Sequence, residues 1–171
     1  APQIRIVNNV PKLKKWAKVY GATFVVYSKK IPKSFRSACD KHSIPILLFE
    51  GGKSYHIDAQ VTNTGVNGAK RILNHLGMLG SKFKVSLPKK EIIFIEESKW
   101  IRAKSSGMFR ATIKLNSKVE KDTILGYITD AYGKFNQSVK ADCEGYILNI
   151  NEDPIVYKGD ALFRCSTKYN V

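Results

Sequence analysis

The sequence is short of cysteine and of acidic residues and has no long apolar run, and each shortage excludes a class of protein. The three cysteines among 171 residues lie far apart without Cys-x-x-Cys spacing. They predict neither a disulfide framework nor a cysteine zinc site, so we expect each to be a small buried apolar residue. No apolar run approaches the roughly 20 residues of a membrane span, and no secretory signal core opens the sequence. We therefore predict a cytoplasmic protein with no membrane partner.

Acidic residues are strongly outnumbered, with 14 Asp and Glu against 29 Lys and Arg and a net charge of +15. Such an excess is the first sign of a nucleic-acid partner. Here the positive residues are mostly lysines, spread as pairs and singles, and no RNP-type or zinc-finger pattern occurs. We therefore predict a solvated lysine surface and no nucleic-acid partner, and keep a basic nucleic-acid-binding protein as a minor hypothesis.

Helix and strand patterns alternate in the N-terminal part of the sequence. They predict a helix at 11–20 ended by Gly21, a strand at 23–27, a helix from Ser34 to about Lys41, and an amphipathic helix at 63–79. In the second helix we expect Phe35 and Ala38 on the inner side, and in the last helix we expect the apolar spacing of Val66, Ala69, Ile72, Leu73 and Leu76 to face the core.

A run of apolar residues at 44–49 is followed by Glu50, Gly51 and Gly52. It predicts a strand buried on both faces that leads into a tight turn. The preceding strand and helix give the length of a parallel crossover, so we expect a parallel sheet. Reactive groups collect beyond the carboxyl ends of such strands. Glu50 is therefore either a general acid and base or a structural acceptor, as an N-cap or in a salt bridge.

The composition changes near residue 82. Pro88 and four lysines at 82–90 are typical of a linker, and short β-type runs with turn glycines follow. We divide the chain into residues 1–82, a linker at 83–90 and a β domain at 91–171. Residues 102–109 resemble 139–147, and 117–126 resemble 154–163. Two similar halves are typical of a barrel-sandwich hybrid, the fold of biotinyl and lipoyl carriers.

The same residues carry a family resemblance. Trp100-Ile101-Arg102-Ala103, Ser106–Phe109, Val119–Ile128, Gly145-Tyr146-Ile147 and Gly159–Phe163 look like the C-terminal β domain of the succinylglutamate desuccinylase/aspartoacylase family. Ser34-Phe35-Arg36, Ile44-Pro45 and Phe49-Glu50-Gly51-Gly52 resemble the last third of its catalytic domain, and Pro2-Gln3-Ile4-Arg5 resembles the segment after its third zinc ligand. The resemblance implies an α/β plus β chain: the C-terminal part of a zinc carboxypeptidase-like α/β domain, then a small β barrel-sandwich hybrid.

The resemblance also implies a function. It makes the chain a fragment of a zinc-dependent deacylase that cleaves an amide or ester bond of a small acylated, carboxylate-bearing substrate, with Glu50 as general base and acid. Arg36 would pair with a substrate carboxylate, although a solvated arginine is an equal interpretation, and Tyr55 and Tyr132 would line the cleft.

The zinc ligands of the family, two histidines and a glutamate, have no match in these residues. His42, His56 and His75 show no ligand spacing, and we expect them to be surface residues. We therefore expect zinc in the complete protein, none in this chain, and no activity from this chain alone. Its partners would be the substrate and either the missing N-terminal segment or further copies of the chain.

A second hypothesis comes from the carrier fold. Such domains present a modified lysine at a hairpin tip, and the matching position is Lys134, which lacks the flanking methionine or aspartate of known carriers. A biotinyl or lipoyl-like carrier or docking module is therefore the alternative function.

Overall fold

A computed structural model describes residues 1–8, 10–53, 56–87 and 91–171. The chain divides into unit 1, residues 1–94 with 170–171, and unit 2, residues 95–169. The predicted linker at 83–90 ends outside the described ranges and stays a prediction. No helix within the described ranges is long and apolar enough to cross a membrane.

Unit 1 contains three helices and the strands of a small sheet. In chain order its elements are β1 (Gln3–Ile6), α1 (Pro11–Tyr20), β2 (Phe24–Tyr27), α2 (Phe35–Lys41), β3 (Leu48–Glu50), α3 (Ala59–His75) and the first residues of β4 (Ile93–Arg102).

Local signals set the ends of the helices. Pro11 opens α1, and Gly21, with φ of 76°, closes it by donating its N–H to the Ala17 carbonyl. The Ser34 hydroxyl accepts the Ser37 N–H at 3.2 Å and starts α2, as predicted. Asp58 caps α3 in the same way, accepting the Val61 N–H at 3.0 Å. The sequence interpretation missed this cap, so α3 begins four residues earlier than predicted.

The sheet of unit 1 is mixed, in the order β3-β1-β2-β4. β1 and β2 are parallel and α1 connects them, as expected of a crossover. β3 instead runs antiparallel to β1 and lies at the edge, so the prediction of a parallel strand buried on both faces was wrong. Ser43 has a left-handed φ of 55° and Pro45 has no N–H to donate, so pairing starts only at Leu48 and the strand is half-exposed.

One face of this sheet is covered by α1 and α3. The core there contains Ile4, Ile6, Ala17, Tyr20 and Val25. Glycines let α3 approach closely: a Cβ on Gly68 would overlap the Tyr20 ring, and a Cβ on Gly65 would lie 3.0 Å from the Phe49 ring. Tyr20 also donates its hydroxyl to the Gly65 carbonyl at 3.2 Å. Helix α3 therefore packs through its glycines.

Unit 2 is built of β-strands. Its elements are the rest of β4, β5 (Gly107–Ala111), β6 (Lys118–Val119), β7 (Ile124–Thr129), β8 (Asn136–Lys140), β9 (Gly145–Ile150), β10 (Ile155–Val156) and β11 (Ala161–Asn170). One layer has the order β4-β11-β9-β6 and the other β10-β5-β7-β8. Their shared core includes Phe109, Leu125, Ile147, Leu162 and Phe163.

The internal repeat is confirmed in the strand pairing of unit 2. Val119 pairs with Gly145 in one half, and Val156 pairs with Gly107 in the other. The backbone bonds repeat as well: Ala141 donates to Thr123 and accepts from Asp122, while Ala103 donates to Asp160 and accepts from Gly159. Each half of the repeat thus supplies a strand that pairs with a strand of the other half. The described strands do not close into a barrel, so the barrel-sandwich hybrid stays a prediction.

Two of the three cysteines are joined. Cys143, just before β9, and Cys165, within β11, form a disulfide, which corrects the expectation that each is an unpaired buried residue. They lie 22 residues apart in sequence, and the antiparallel pairing of β9 with β11 brings them together. Cys39 is free and buried, as expected.

Candidate functional site

Glu50 is the last residue of β3, at the edge of the sheet of unit 1. It lies directly opposite Gln3 of β1, and Leu48 lies opposite Arg5. Because side chains alternate along a strand, Gln3, Arg5, Glu50 and Leu48 share one face of the sheet. Ile4 and Phe49 point to the other face, toward α1 and α3. The sheet register therefore gathers three polar side chains at one point.

The Glu50 carboxylate is held through one oxygen. Arg5 Nε lies 2.6 Å from Glu50 Oε2, and Gln3 Nε2 donates to the same oxygen at 3.3 Å. The Arg5 Nε–H is not aligned for a hydrogen bond, so this contact is an ion pair. The side chain of Glu50 is 40% exposed. The carboxylate is thus anchored in the sheet yet open to solvent.

Gln3 is the buried member of the group, with 3% of its surface exposed. Its Oε1 is buried and has no hydrogen-bond partner among the described residues. A buried acceptor without a donor costs free energy, on the order of 1–3 kcal/mol. That cost suits a residue whose amide orients a neighbouring carboxylate.

The backbone directly after Glu50 requires glycine. A Cβ on Gly51 would lie 3.0 Å from both the Pro2 Cα and the Val61 side chain, and Gly52 has a φ of 98°. The expectation that these glycines let another backbone come close is confirmed at Gly51 beside Pro2, whereas residues 51–53 form no tight turn.

Arg36 lies in α2 and is buried. Its Nη1 donates to the Ser28 hydroxyl at 2.9 Å and its Nη2 to the Lys29 carbonyl at 2.8 Å. These bonds tie the helix to the loop that follows β2. No hydrogen bond or ion pair joins Arg36 to Glu50 in the described part of the chain. Arg36 is therefore neither a solvated arginine nor, in this structure, a partner of Glu50.

The two predicted tyrosines cannot be added to this group. Tyr55 lies outside the described residues. Tyr132 belongs to unit 2, where it is exposed in the hairpin between β7 and β8. In that hairpin the Asp130 carboxylate accepts the backbone N–H of Lys134 at 2.8 Å.

The described residues do not fit a zinc site. Their His, Cys, Asp and Glu side chains form no group of three or more that could hold a metal ion. His42, His56 and His75 are all exposed, at separate places in unit 1. Glu50, the carboxylate of the site, already faces the positive charge of Arg5.

Gln3 and Arg5 were not predicted as site residues. Both alternate with isoleucines in β1, so a polar face on that strand was visible in the sequence. Their approach to Glu50 depends on the pairing of β1 with β3, which joins Gln3 to a residue 47 positions later in the sequence and which no local pattern encodes.

Comparison with known proteins shows relatives only by structure. No family model matches the sequence, and no curated protein matches it. Of the solved structures, a succinylglutamate desuccinylase/aspartoacylase from Rhodobacter sphaeroides matches with a TM-score of 0.80 and 18% identity over 98% of this chain. The chain has the succinylglutamate desuccinylase/aspartoacylase fold.

Further structures agree with this fold. The ectoine utilization protein EutE (DoeB) from Ruegeria pomeroyi matches with a TM-score of 0.80 and 15% identity over 98% of the chain. An aspartoacylase family protein from Mesorhizobium loti matches with 0.71 and 14% over 98% of it. The matches cover 54%, 55% and 58% of these three structures. The chain therefore spans about half the length of the desuccinylase/aspartoacylase structures that it matches.

Proposed function

We propose that this chain is part of a zinc-dependent hydrolase, a deacylase that cleaves an amide or ester bond of a small acylated substrate bearing a carboxylate. The observation that supports the proposal is the position of Glu50: an anchored, solvent-open carboxylate at a strand end, followed by two glycines, in a desuccinylase/aspartoacylase fold.

In this proposal Glu50 moves the proton. Both described contacts of the carboxylate go to Oε2, which leaves Oε1 to accept a proton from the attacking water and to deliver it to the departing amine or alcohol. The ion pair with Arg5 holds the carboxylate on its Oε2 side. Gln3 limits its rotation.

The metal would be held elsewhere. Because the described residues offer no zinc site, we assign the zinc ligands to polypeptide outside this chain, and no step here depends on them. The chain alone would then have no activity. A cytoplasmic location belongs to the proposal, and the Cys143–Cys165 disulfide is an observation against it, because disulfides are rare in cytosolic proteins.

Substrate recognition is the least constrained part of the proposal. Arg36 donates its hydrogen bonds to the loop after β2. It would bind a substrate carboxylate directly only if those bonds broke. With the bonds in place, it contributes to substrate binding by ordering that loop. Tyr55 and Tyr132 stay proposed cleft residues. The partners would be the small-molecule substrate and either the missing N-terminal segment or further copies of the chain.

The test compares two polypeptides: this 171-residue chain, and the longer one that includes whatever is encoded immediately upstream of Ala1. We expect neither bound zinc nor hydrolysis of N-acyl amino acids from the first, and both from the second. In the longer polypeptide, Glu50→Gln should lower kcat by about 10²–10⁴-fold with zinc content unchanged.

Glu91→Gln is the matched control, since Glu91 is exposed and lies away from the site in sequence. It should leave both zinc content and kcat unchanged. Full turnover in Glu50→Gln would show that Glu50 is misassigned. Turnover by the 171-residue chain alone would refute the assignment of the metal to another segment.

A further inference from the structure

Helix α1 presents lysines to solvent on the side that faces away from the sheet. We call this side the basic face, and its members are Lys12, Lys14, Lys15 and Lys18. All four are exposed. The helix buries Leu13, Ala17 and Tyr20 instead, and at about 100° of rotation per residue Lys15 points directly away from these three. The basic face therefore runs the length of α1 on its solvent side.

The charge of the basic face is not neutralised by acidic side chains. The first 39 residues contain nine Lys and Arg residues, and the first acidic residue is Asp40. Asp40 pairs with Lys30, and Glu50 pairs with Arg5. Within the described ranges, no ion pair or side-chain hydrogen bond engages a lysine of the basic face. Unit 1 has a net charge of +13, from 17 basic and four acidic residues.

Aromatic rings hold three of the four ammonium groups in place. Lys12 Nζ lies 4.9 Å from the centre of the Trp16 ring. The Nζ atoms of Lys14 and Lys18 lie 5.1 Å and 5.8 Å from the centre of the Phe94 ring. Such cation–π contacts restrict the side chain and leave its charge in place. Because an ordered lysine loses less conformational entropy when it binds an anion, the basic face is a pre-organised row of positive charges.

We propose that the basic face binds the phosphate backbone of double-stranded nucleic acid, without selecting a base sequence. A stripe of positive residues along a helix is the electrostatic footprint of nucleic-acid binding. Lys14 and Lys18 lie about 6 Å apart along the helix axis, so successive turns of α1 meet different phosphates of a duplex. A lysine ammonium is a point charge that binds phosphate without a fixed geometry, so the contacts select charge and not bases.

The folded helix changes the interpretation that the sequence favoured. We expected a solvated lysine surface because the lysines occur as pairs and singles along the chain. The turn of α1 brings four of them onto one side, and the rings of Trp16 and Phe94 order three of these. The gathering depends on helical geometry, and the contacts with Phe94 depend on a residue that is distant in sequence.

Other anionic partners fit the basic face less well. A helix that binds a membrane surface inserts its apolar face among the lipids, and the apolar face of α1 is already packed in the core of unit 1. Protein interfaces are depleted of lysine and enriched in aromatic residues at their centres. A nucleic-acid duplex requires only exposed positive charge along a line, which is what the basic face offers.

The inference does not depend on the proposed hydrolase function. Helix α1 covers the face of the sheet to which Ile4 and Phe49 point, whereas Glu50 lies on the other face. A duplex on the basic face would therefore leave the surroundings of Glu50 open.

The test measures binding of the 171-residue chain to a fluorescently labelled DNA duplex by anisotropy, over a range of salt concentrations. The test pair, Lys15→Gln with Lys18→Gln, removes two charges of the basic face. The control pair, Lys114→Gln with Lys121→Gln, removes two charges from exposed positions of unit 2. We expect the unaltered chain to bind two duplexes of unrelated sequence equally, with a Kd of about 10⁻⁶–10⁻⁴ M at physiological salt.

The salt dependence of binding distinguishes the pairs. Four phosphate contacts should give a slope of about −3.6 for log K against log salt concentration. The test pair should reduce the size of this slope by about 2 and weaken binding at least about tenfold, and the control pair should leave both nearly unchanged. Equal changes in the two pairs would show that net charge alone matters and would overturn the inference. So would no binding of the duplex at low salt, or tighter binding to phosphatidylserine vesicles than to the duplex.

Trp16 gives an independent measurement at the basic face itself. It is half-buried and lies beneath the ammonium group of Lys12. In a Trp100→Phe background, saturation with the duplex should change the fluorescence of Trp16. In a Trp16→Phe background, the fluorescence of Trp100 in unit 2 should stay the same. Unchanged Trp16 fluorescence in a chain that binds the duplex would place the contact elsewhere and overturn the inference.

Discussion

The two units differ in how far their own residues pair their strands and cover their apolar side chains. In unit 2 each half of the repeat supplies the strand that the other half lacks, as Val119 opposite Gly145 and Val156 opposite Gly107 show. In unit 1 the described strands end at β3, and Val66, Leu73 and Leu76 of α3 are exposed. Unit 2 has a net charge of +2, from 12 basic and ten acidic residues, whereas that of unit 1 is +13.

The difference indicates that strand pairing within the repeat stabilises unit 2, whereas unit 1 leaves part of its surface uncovered. The repeat of unit 2 pairs with itself, so that β5 and β9 each lie between two strands of the same unit. In unit 1 the edge strand β3 and the exposed aliphatic side chains of α3 are left in contact with solvent. The following predictions test whether each unit depends on its own contacts. Trp16 lies in unit 1 and Trp100 in unit 2, so Trp100→Phe and Trp16→Phe backgrounds report the unfolding of each unit separately by fluorescence.

Gly145→Ala should have the largest effect. A Cβ at this position would overlap the backbone carbonyl oxygen of Ser166, which cannot move without breaking the pairing of β9 with β11. We expect unit 2 to lose about 3 kcal/mol or more of unfolding free energy, measured by urea unfolding in the Trp16→Phe background. Gly133→Ala is the control, because no atom lies within 4 Å of its Cβ, and it should cost about 1 kcal/mol for its left-handed backbone. Equal losses in the two variants would contradict the close approach.

Reduction of the Cys143–Cys165 disulfide should also act on unit 2 alone. A cross-link across 22 residues limits the unfolded chain, and its loss should cost about 3 kcal/mol. Thiol titration of the denatured protein should find one thiol before reduction, that of Cys39, and three after it. Three thiols before reduction, in protein taken from its native cells, would show that the pair is not bonded there and would favour a cytoplasmic location.

Gly68→Ala is the matching disruption of unit 1. The new methyl would overlap the ring of Tyr20, but that ring can shift a little, and alanine favours the helix by about 1 kcal/mol over glycine. We expect a net loss of about 2 kcal/mol, seen by Trp16 fluorescence, with unit 2 unchanged. Asn67→Ala, one residue away on α3, should be neutral or slightly stabilising. A stable Gly68→Ala variant would mean that α3 does not pack on α1 through this glycine.

The smallest effect concerns pH. Burial raises the pKa of Tyr20 to about 12, while the nearby charge of Arg71 opposes the shift. The raised pKa means that the folded state favours the neutral phenol. The stability it contributes is complete below pH 10 and is lost as the pH rises from about 10 to about 12. Tyr20→Phe should lose about 1 kcal/mol at pH 7, with its bond to Gly65, and should remove this component of the alkaline decline.

Tyr132→Phe is the control for the alkaline titration, because Tyr132 is exposed. It should leave the profile of unit 1 unchanged. An alkaline decline of the same slope in Tyr20→Phe and in the unaltered chain would assign the titration to another group.

Local features of the fold were predictable, and contacts between distant segments were not. Gly21 and Ser34 mark their helix ends in the sequence as they do in the structure. Phe35 and Ala38 were expected to face inward, but both are exposed and α2 buries Arg36 and Cys39 instead. A helix of seven residues buries few side chains, so the elements around it decide which of them face inward.

Helix α3 shows the same limit more clearly. Of the residues in its apolar spacing, Ile72 packs against the core as expected, whereas Val66, Ala69, Leu73 and Leu76 are exposed. The packed side contains Gly65 and Gly68 beside Ile72, and glycine gives no hydrophobic signal. The site follows the same rule, because the position of Glu50 at a strand end was predicted, whereas its contacts with Gln3 and Arg5 needed the register of β1 and β3.

The reciprocal pairing of unit 2 has a consequence for synthesis on the ribosome. Gly107 of β5 pairs with Val156 of β10, which is translated 49 residues later. β11 is translated later still. Unit 2 therefore cannot complete its pairing until β11 has left the exit tunnel, so a nascent chain that stalls before β10 would present its β5 edge to the cell.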